Sequence, residues 1–246
     1  MKDLVPLLDK LGLTGMKTHL PEIMNLTDSQ ASDNIYMILK KLLEVECEFK
    51  KSRSLNYRLR IAKLPTIKLL SETSQAKLIE NIEINEVIDN NQNIMLIGGA
   101  GSAKTHLAIG LAFVALEKNY RVRFYTLNEL ASQLLSVRAH NYEVRFMESI
   151  KRFDLIIVDE LGYVPIKPES GPLLFELFAK LYEQSSIIIT THLRFEEWGE
   201  IFGNAKATKA IIDRLTHHCK IIETGNKSWL NMDSGVLIHK QPYQRF

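Results

Sequence analysis

Ile35, Ile38, Leu39, Leu42 and Leu43 recur at i, i+3, i+4, i+7 and i+8, the spacing of one helical face. Ser32 stands where an N-cap belongs, and Leu64-Pro65 gives the helix a place to stop. Ahead of it, Asp3 to Leu11 reads as a short helix that Gly12 ends, and Met16 to Met24 as a second. The apolar stripe of the long helix is expected to face a core made with these two. Residues 1–63 are thus predicted to form a small all-helical domain. Residues 64–90 carry a weaker pattern, a connector with helical character from Ala76 to Ile82.

The pattern then changes. Ile94 to Ile97, Arg121 to Tyr125, Phe153 to Glu160 and Ser186 to Thr191 are short runs suited to strands. Between or after them, residues 104–112, Asn128 to Val137, Glu143 to Lys151 and Ala210 to Leu215 read as helices. Alternation of this kind predicts an α/β domain on a parallel sheet over 64–246. Strands are also expected at Lys220 to Glu223 and Ser228 to Met232, with a loose basic, aromatic tail, HKQPYQRF, after them.

Three of these strands end in chemistry. After Ile97 come Gly98, Gly99, Ala100, Gly101, Ser102 and Ala103, then Lys104, Thr105 and His106 open a helix. This is the layout of a phosphate-binding loop: backbone N–H groups wrap the anion, the lysine reaches the terminal phosphates, and the threonine hydroxyl holds Mg²⁺. The helix N-terminus adds about half a positive charge there. A glycine-rich turn that binds nothing is the bland alternative. The pattern wants glycine before the lysine, and Ala103 stands there. If that position needs φ > 0, the methyl costs about 1 kcal/mol, which weakens binding about tenfold at most. About 55 residues on, FDLIIVDE delivers Asp159 and Glu160 to the carboxyl end of a strand, where ligands sit in open sheets. Asp159 is suited to Mg²⁺ and Glu160 to orienting and deprotonating a water, against the alternative of an acidic surface turn. Thr190-Thr191-His192 ends another strand where a γ-phosphate sensor would stand; His192 is otherwise an ordinary surface or core histidine. Arg214 is either an internal ion-pair partner or a finger reaching a neighbour's nucleotide.

Composition narrows the setting. The 246 residues are 46% hydrophobic and 24% charged, the balance of a soluble globular chain. No apolar stretch approaches the roughly 18 residues needed to span a bilayer, so no membrane partner is expected. The beginning, MKDLVPLLDKLG, carries acids and has no leader-peptide core. Cys47 and Cys219 are too few and too far apart for a disulfide framework or a zinc site, which makes a cytoplasmic location the default. Net charge is only +2, but KKSRSLNYRLRIAK holds Lys50, Lys51, Arg53, Arg58, Arg60 and Lys63 with no acid. On the helix, Leu55, Leu59 and Ala62 share one side, with Lys50, Arg53 and Arg60 opposite and Lys51 and Arg58 flanking. Such a face suits a phosphate backbone; the alternative is a solvated face with no partner.

RLRIAKLP (58 to 65), GGAGSAKTHLA (98 to 108), YRVRFYT (120 to 126), DLIIVDELGYVP (154 to 165), FEEWGEIFG (195 to 203) and IIDRLTHH (211 to 218) together resemble the IstB-like ATP-binding proteins. These are AAA+ transposition helpers of insertion sequences, related to DnaC-type helicase loaders. The resemblance implies a sheet of order 5-1-4-3-2 with helices on both faces, after an N-terminal DNA-contacting helical domain. It also implies ATP-dependent self-association on duplex DNA, bending of that DNA, and recruitment or stimulation of a transposase from the same element. By the same resemblance Lys104 and Thr105 are the Walker A pair, Asp159 and Glu160 the Walker B pair, His192 sensor 1 and Arg214 the arginine finger. Ala103 replaces the usual glycine, His192 the usual asparagine, and Leu230 the arginine of a GESYR-type segment; together they imply slow or impaired hydrolysis. The alternatives are a replicative helicase loader, an ATP-binding DNA scaffold without turnover, and a phosphoryl-transfer kinase.

Overall fold

The computed structural model describes residues 4–25, 31–202 and 205–225. The chain divides into two compact units, Met1–Arg58 and Leu59–Phe246.

In the first unit, α1 (Leu4–Lys10) ends at Gly12, whose φ of +65° lets the chain reverse while the Leu13 amide closes on Leu8 O at 2.8 Å. Helix α2 (Thr14–Asn25) and the long α3 (Ala31–Ala62) follow. Because α3 already includes Ala31, the expected cap at Ser32 falls inside its first turn instead. Met16, Leu20 and Leu42 are buried together, with Leu8, Leu13, Ile38 and Val45 against them. The inward stripe is therefore Ile38, Leu42 and Val45; the expected Leu39 and Leu43 are 51% and 50% exposed. Gly15 selects this face, since a Cβ there would stand 2.6 Å from Phe49 Cβ. Glu46, on the same face, accepts the Met16 amide at 2.8 Å and so satisfies an open donor of the first turn of α2.

In the second unit, Lys63 (φ 53°) ends α3. Residues 64–90 are far more ordered than a connector. Two 3₁₀ turns, Leu70–Glu72 and Ser74–Ile79, lead to α4 (Ile84–Asp89), and Ile79, Ile84, Val87 and Ile88 are buried. Strands β1 (Asn93–Ile97), β2 (Val122–Thr126), β3 (Leu155–Leu161), β4 (Ser186–Thr191) and β5 (Cys219–Glu223) alternate with α5 (Lys104–Glu117), α6 (Leu127–Ala139), α7 (Glu143–Ile150), α8 (Ser170–Leu181), α9 (Gly199–Phe202) and α10 (Ala205–His217). The sheet is wholly parallel in the order β2-β3-β4-β1-β5, the order 5-1-4-3-2 read from its other edge. Met95, Ile156, Val158, Ile187 and Ile189 join one core with α6, α7, α8 and α10. The alternate Ile94, Leu96, Ile157 and Ile188 are equally buried, and α5 packs across the strands outside that core. Burial on both faces is why these strands read as continuous apolar runs. The segment expected as a strand from Ser228 to Met232, the tail and Leu230 lie outside the described residues.

Candidate functional site

The carboxyl ends of β1, β3 and β4 lie side by side, and each carries one part of the site. Gly98 follows β1 in a space no other residue fits: a Cβ would stand 2.3 Å from Thr224 Oγ1 and 2.9 Å from Gly225 O. Gly101 (φ 74°) and Ala103 (φ 62°) turn the loop through left-handed backbone before Lys104 opens α5. The strain anticipated for the methyl of Ala103 is therefore real. Ser102 is buried, its hydroxyl 2.6 Å from Thr224 Oγ1. Not every loop amide points at an anion. Those of Gly98, Gly99 and Ser102 donate to the carbonyls of Thr191, Gly225 and Gly99 at 3.1, 3.2 and 3.3 Å. The first-turn amides of α5 have no intrahelical acceptor and are the donors best placed for a phosphate.

Lys104 Nζ lies 2.7 Å from both Gly98 O and Gly99 O, donating to the loop's own carbonyls. Burial lowers its pKa from the usual lysine value, and the charge of Asp159 partly restores it. Asp159 is 3% exposed at the end of β3. Thr105 Oγ1 donates to its Oδ1 at 2.9 Å, and Thr190 Oγ1 donates to the same oxygen. Lysine, threonine and aspartate, separated by 54 positions along the chain, thus meet in one place. A buried carboxylate paired with a hydroxyl, all hard oxygen, fits Mg²⁺ and fits no softer ion as well. Between Val158 and Leu161 the β3–β4 register slips, and Glu160 takes φ 62°. Its amide donates to Thr190 Oγ1 at 3.0 Å while its side chain stays exposed beside the buried aspartate. Thr190 therefore fixes both acidic residues.

An opening of about 270 Å³ lies over the loop, lined by Gly101 to His106 on one side and by Lys68, Glu72 and Thr73 on the other. The last three escape sequence reasoning. Their segment is seated by Leu70 against Gly110 of α5, where a Cβ would lie 2.2 Å from Leu70 Cδ2, and by His106 Nε2 at 2.9 Å from Leu69 O. A glycine in mid-helix was the one available signal of a close approach.

Residues 6–234 match the family model of the IstB-like ATP binding protein. The chain belongs to that family. It is 29% identical to an insertion sequence IS21 putative ATP-binding protein of Pseudomonas aeruginosa, over 93% of this chain and 89% of the relative. It is 34% identical to the corresponding IS5376 protein of Geobacillus stearothermophilus, over 84% and 85%. Among solved structures, AMPPCP-bound DnaA from Aquifex aeolicus superposes with a TM-score of 0.54 at 18% identity, over 66% of this chain and 51% of that one. The DnaC helicase loader gives 0.50 at 16%, over 68% and 97%. Both share the fold. This is an IstB-like ATP-binding protein of the insertion-sequence type, and no helix among its described residues is long and apolar enough to cross a membrane.

The remaining residues assigned by likeness to IstB sit less simply. His192 is exposed, edge-on to the Tyr163 ring at 5.4 Å; the hydroxyl at this strand end that reaches Asp159 is that of Thr190. The Arg214 guanidinium lies over the Phe175 ring of its own chain, 5.4 Å from the centroid, with Nη1 buried and without a hydrogen-bond partner. On the basic stretch, Lys51 and Arg53 of the first unit are exposed, while Arg58 donates to Ser54 Oγ at 2.6 Å. Lys50 Nζ stands 3.6 Å from Glu46, an acid one turn before the stretch that the acid-free reading leaves out. Arg60 and Lys63, in the second unit, are exposed, and the positive φ of Lys63 takes it off the helical face.

Proposed function

We propose that this protein hydrolyses ATP, self-associates on duplex DNA in its ATP-bound form, and recruits or stimulates the transposase of its own element. The convergence of Lys104, Thr105 and Asp159, with Glu160 open beside them, is the observation that supports the motor. In this reading Lys104 moves from the loop carbonyls to the terminal phosphates, and the free first-turn amides of α5 take the remaining oxygens. Thr105 and Asp159 would hold Mg²⁺, which when bound would supply charge neutralisation for the phosphates. Glu160 orients the attacking water and accepts its proton; Thr190 keeps Asp159 and the Glu160 backbone in register. His192 senses the γ-phosphate, and Arg214 serves a neighbouring copy's nucleotide after leaving Phe175. Residues 1–63 form the DNA-contacting domain, with Lys50, Lys51, Arg53, Arg58, Arg60 and Lys63 on the phosphates, and 64–246 the ATPase domain. The whole cycle belongs in the cytoplasm.

Two substitutions separate the steps. Lys104→Ala is expected to lose ATP binding, and Glu160→Gln to bind ATP while turnover stalls, both read by nucleotide titration and phosphate release. Normal hydrolysis in both variants would remove the assignment. The strained Ala103 and the placement of His192 favour a second reading, an ATP- and DNA-binding scaffold without turnover. Tight ATP binding with no phosphate release in saturating DNA decides for it.

A further inference from the structure

At the amino-terminal ends of the strands, three side chains outside this machinery come together. Glu183 lies in the turn between α8 and β4, His217 is the last residue of α10, and His218 stands immediately before β5. All three are exposed, and one ligand atom from each lies within 4.8 Å of the other two. The two imidazole centroids are 4.2 Å apart, the rings at 74°. Tyr182, next to Glu183, has its hydroxyl 3.2 Å from His217 Nδ1, which fixes that ring and leaves Nε2 for another partner. Glu183 takes φ 56°, in left-handed backbone that is uncommon for a residue with a side chain.

We propose that Glu183, His217 and His218 bind a divalent transition metal of the zinc class. Two imidazoles and one carboxylate are the three-ligand donor set of zinc sites that keep a fourth position open. Imidazole nitrogen suits zinc and its neighbours, whereas Mg²⁺ and Ca²⁺ prefer all-oxygen shells. With metal–ligand bonds of about 2.0 Å, tetrahedral ligand atoms stand about 3.3 Å apart. The cluster has to contract by roughly 1.5 Å at most, which rotamer changes of exposed side chains accommodate. With Nδ1–H of His217 donating to the Tyr182 hydroxyl, Nε2 keeps its lone pair for the metal, the outer-shell arrangement that orients a ligating imidazole.

The site is separate from the phosphate chemistry. Its residues precede β4 and β5, whereas Gly98 to Thr105 follow β1, and a six-residue strand such as β4 spans about 20 Å. A bound ion ties together the turns that enter the two strands flanking β1.

The test uses the full chain, stripped with a chelator and titrated with Zn²⁺ against a chromophoric competitor. Co²⁺ serves as a spectroscopic probe of imidazole ligation. One Zn²⁺ per chain is expected, with affinity at least tenfold weaker in His217→Gln, His218→Gln and Glu183→Gln, and about tenfold weaker in Tyr182→Phe. Asp159→Asn should leave the zinc affinity unchanged, which distinguishes this site from the magnesium position. Circular dichroism checks that each variant is folded. The proposal is overturned if the wild-type chain takes up no zinc at millimolar concentration, or if the two histidine variants bind it as the wild type does.

Discussion

Ala103→Gly tests where the strain in the phosphate loop is carried. Ala103 sits at φ 62° and ψ 16°, where a methyl-bearing residue is disfavoured by about 1 kcal/mol. From sequence alone that strain is charged to nucleotide binding, and glycine should tighten ATP about tenfold. The structure points elsewhere. The left-handed turn is held on both sides by protein contacts: Ser102 Oγ on Thr224 at 2.6 Å, the Gly98 amide on Thr191 O at 3.1 Å, and the Leu107 amide on Ala103 O at 2.9 Å. None of these needs a ligand, so the strain belongs to the fold. Glycine then relieves about 1 kcal/mol in the folded chain but loses about 0.5–1 kcal/mol more chain entropy on folding. The net change in stability stays within about 0.5 kcal/mol, or a Tm shift under about 2 °C for a chain of this size. ATP affinity should change less than about twofold, equivalent to about 0.4 kcal/mol. Titration with a fluorescent nucleotide and a thermal melt read the two quantities. A tenfold tightening with unchanged Tm would refute the reasoning, because it would mean that the loop adopts this turn only around a nucleotide.

Thr190→Val removes a donor to buried Asp159 and the acceptor of the Glu160 amide, and should cost about 1–3 kcal/mol in urea unfolding. Thr190→Ser should restore most of it, and a loss below about 0.5 kcal/mol for the valine variant would deny Thr190 this role. If the six basic residues meet six phosphates, the slope of log K for DNA against log salt should lie near −5. Changing Lys51, Arg53, Arg58 and Arg60 to alanine should bring it to about −2 on every DNA sequence alike, and an unchanged slope would return the face to solvent. Burial pushes the Cys219 thiol up to about 12, while Cys47 is exposed. At mildly alkaline pH a thiol reagent should modify Cys47 alone until the chain is unfolded. Because the folded value lies above the ordinary 9.0, the Cys219 contribution to stability is complete below that pH and lost as pH climbs towards about 12, which alkaline unfolding curves of Cys219→Ala would show.

What could be read from the residues, and what could not, follows a physical division. The strands and the Lys104, Thr105 and Asp159 set were legible because a strand buried on both faces leaves an unbroken apolar run, and the next residue falls at the ligand edge. The inward face of α3 was legible only in part: Ile38 and Leu42 of the expected stripe face the core, but Leu39 and Leu43 turn outward and Val45 takes their place. Periodicity alone leaves the two neighbouring stripes open. Contacts distant in sequence decide between them, through Gly15 admitting Phe49 and Glu46 taking the Met16 amide. Residues 68–73 were illegible for a similar reason. A 3₁₀ turn is too short to show a period, and its place is set by Leu70 entering the gap at Gly110. The ending of β4 shows the limit most sharply. Thr190, Thr191 and His192 were all recognisable as polar groups at a strand end, but alternation along β4 and the register slip in β3 choose which one reaches Asp159. That slip is marked by Glu160 at φ 62°, a conformation its residue type disfavours, so no local preference could have announced it. Backbone held in such a region persists only where its surroundings over-determine it, and here the Glu160 amide on Thr190 and the slip against β4 do so. The feature least readable from the sequence is thus set by contacts on the neighbouring strand, and it leaves the exposed Glu160 beside the buried Asp159.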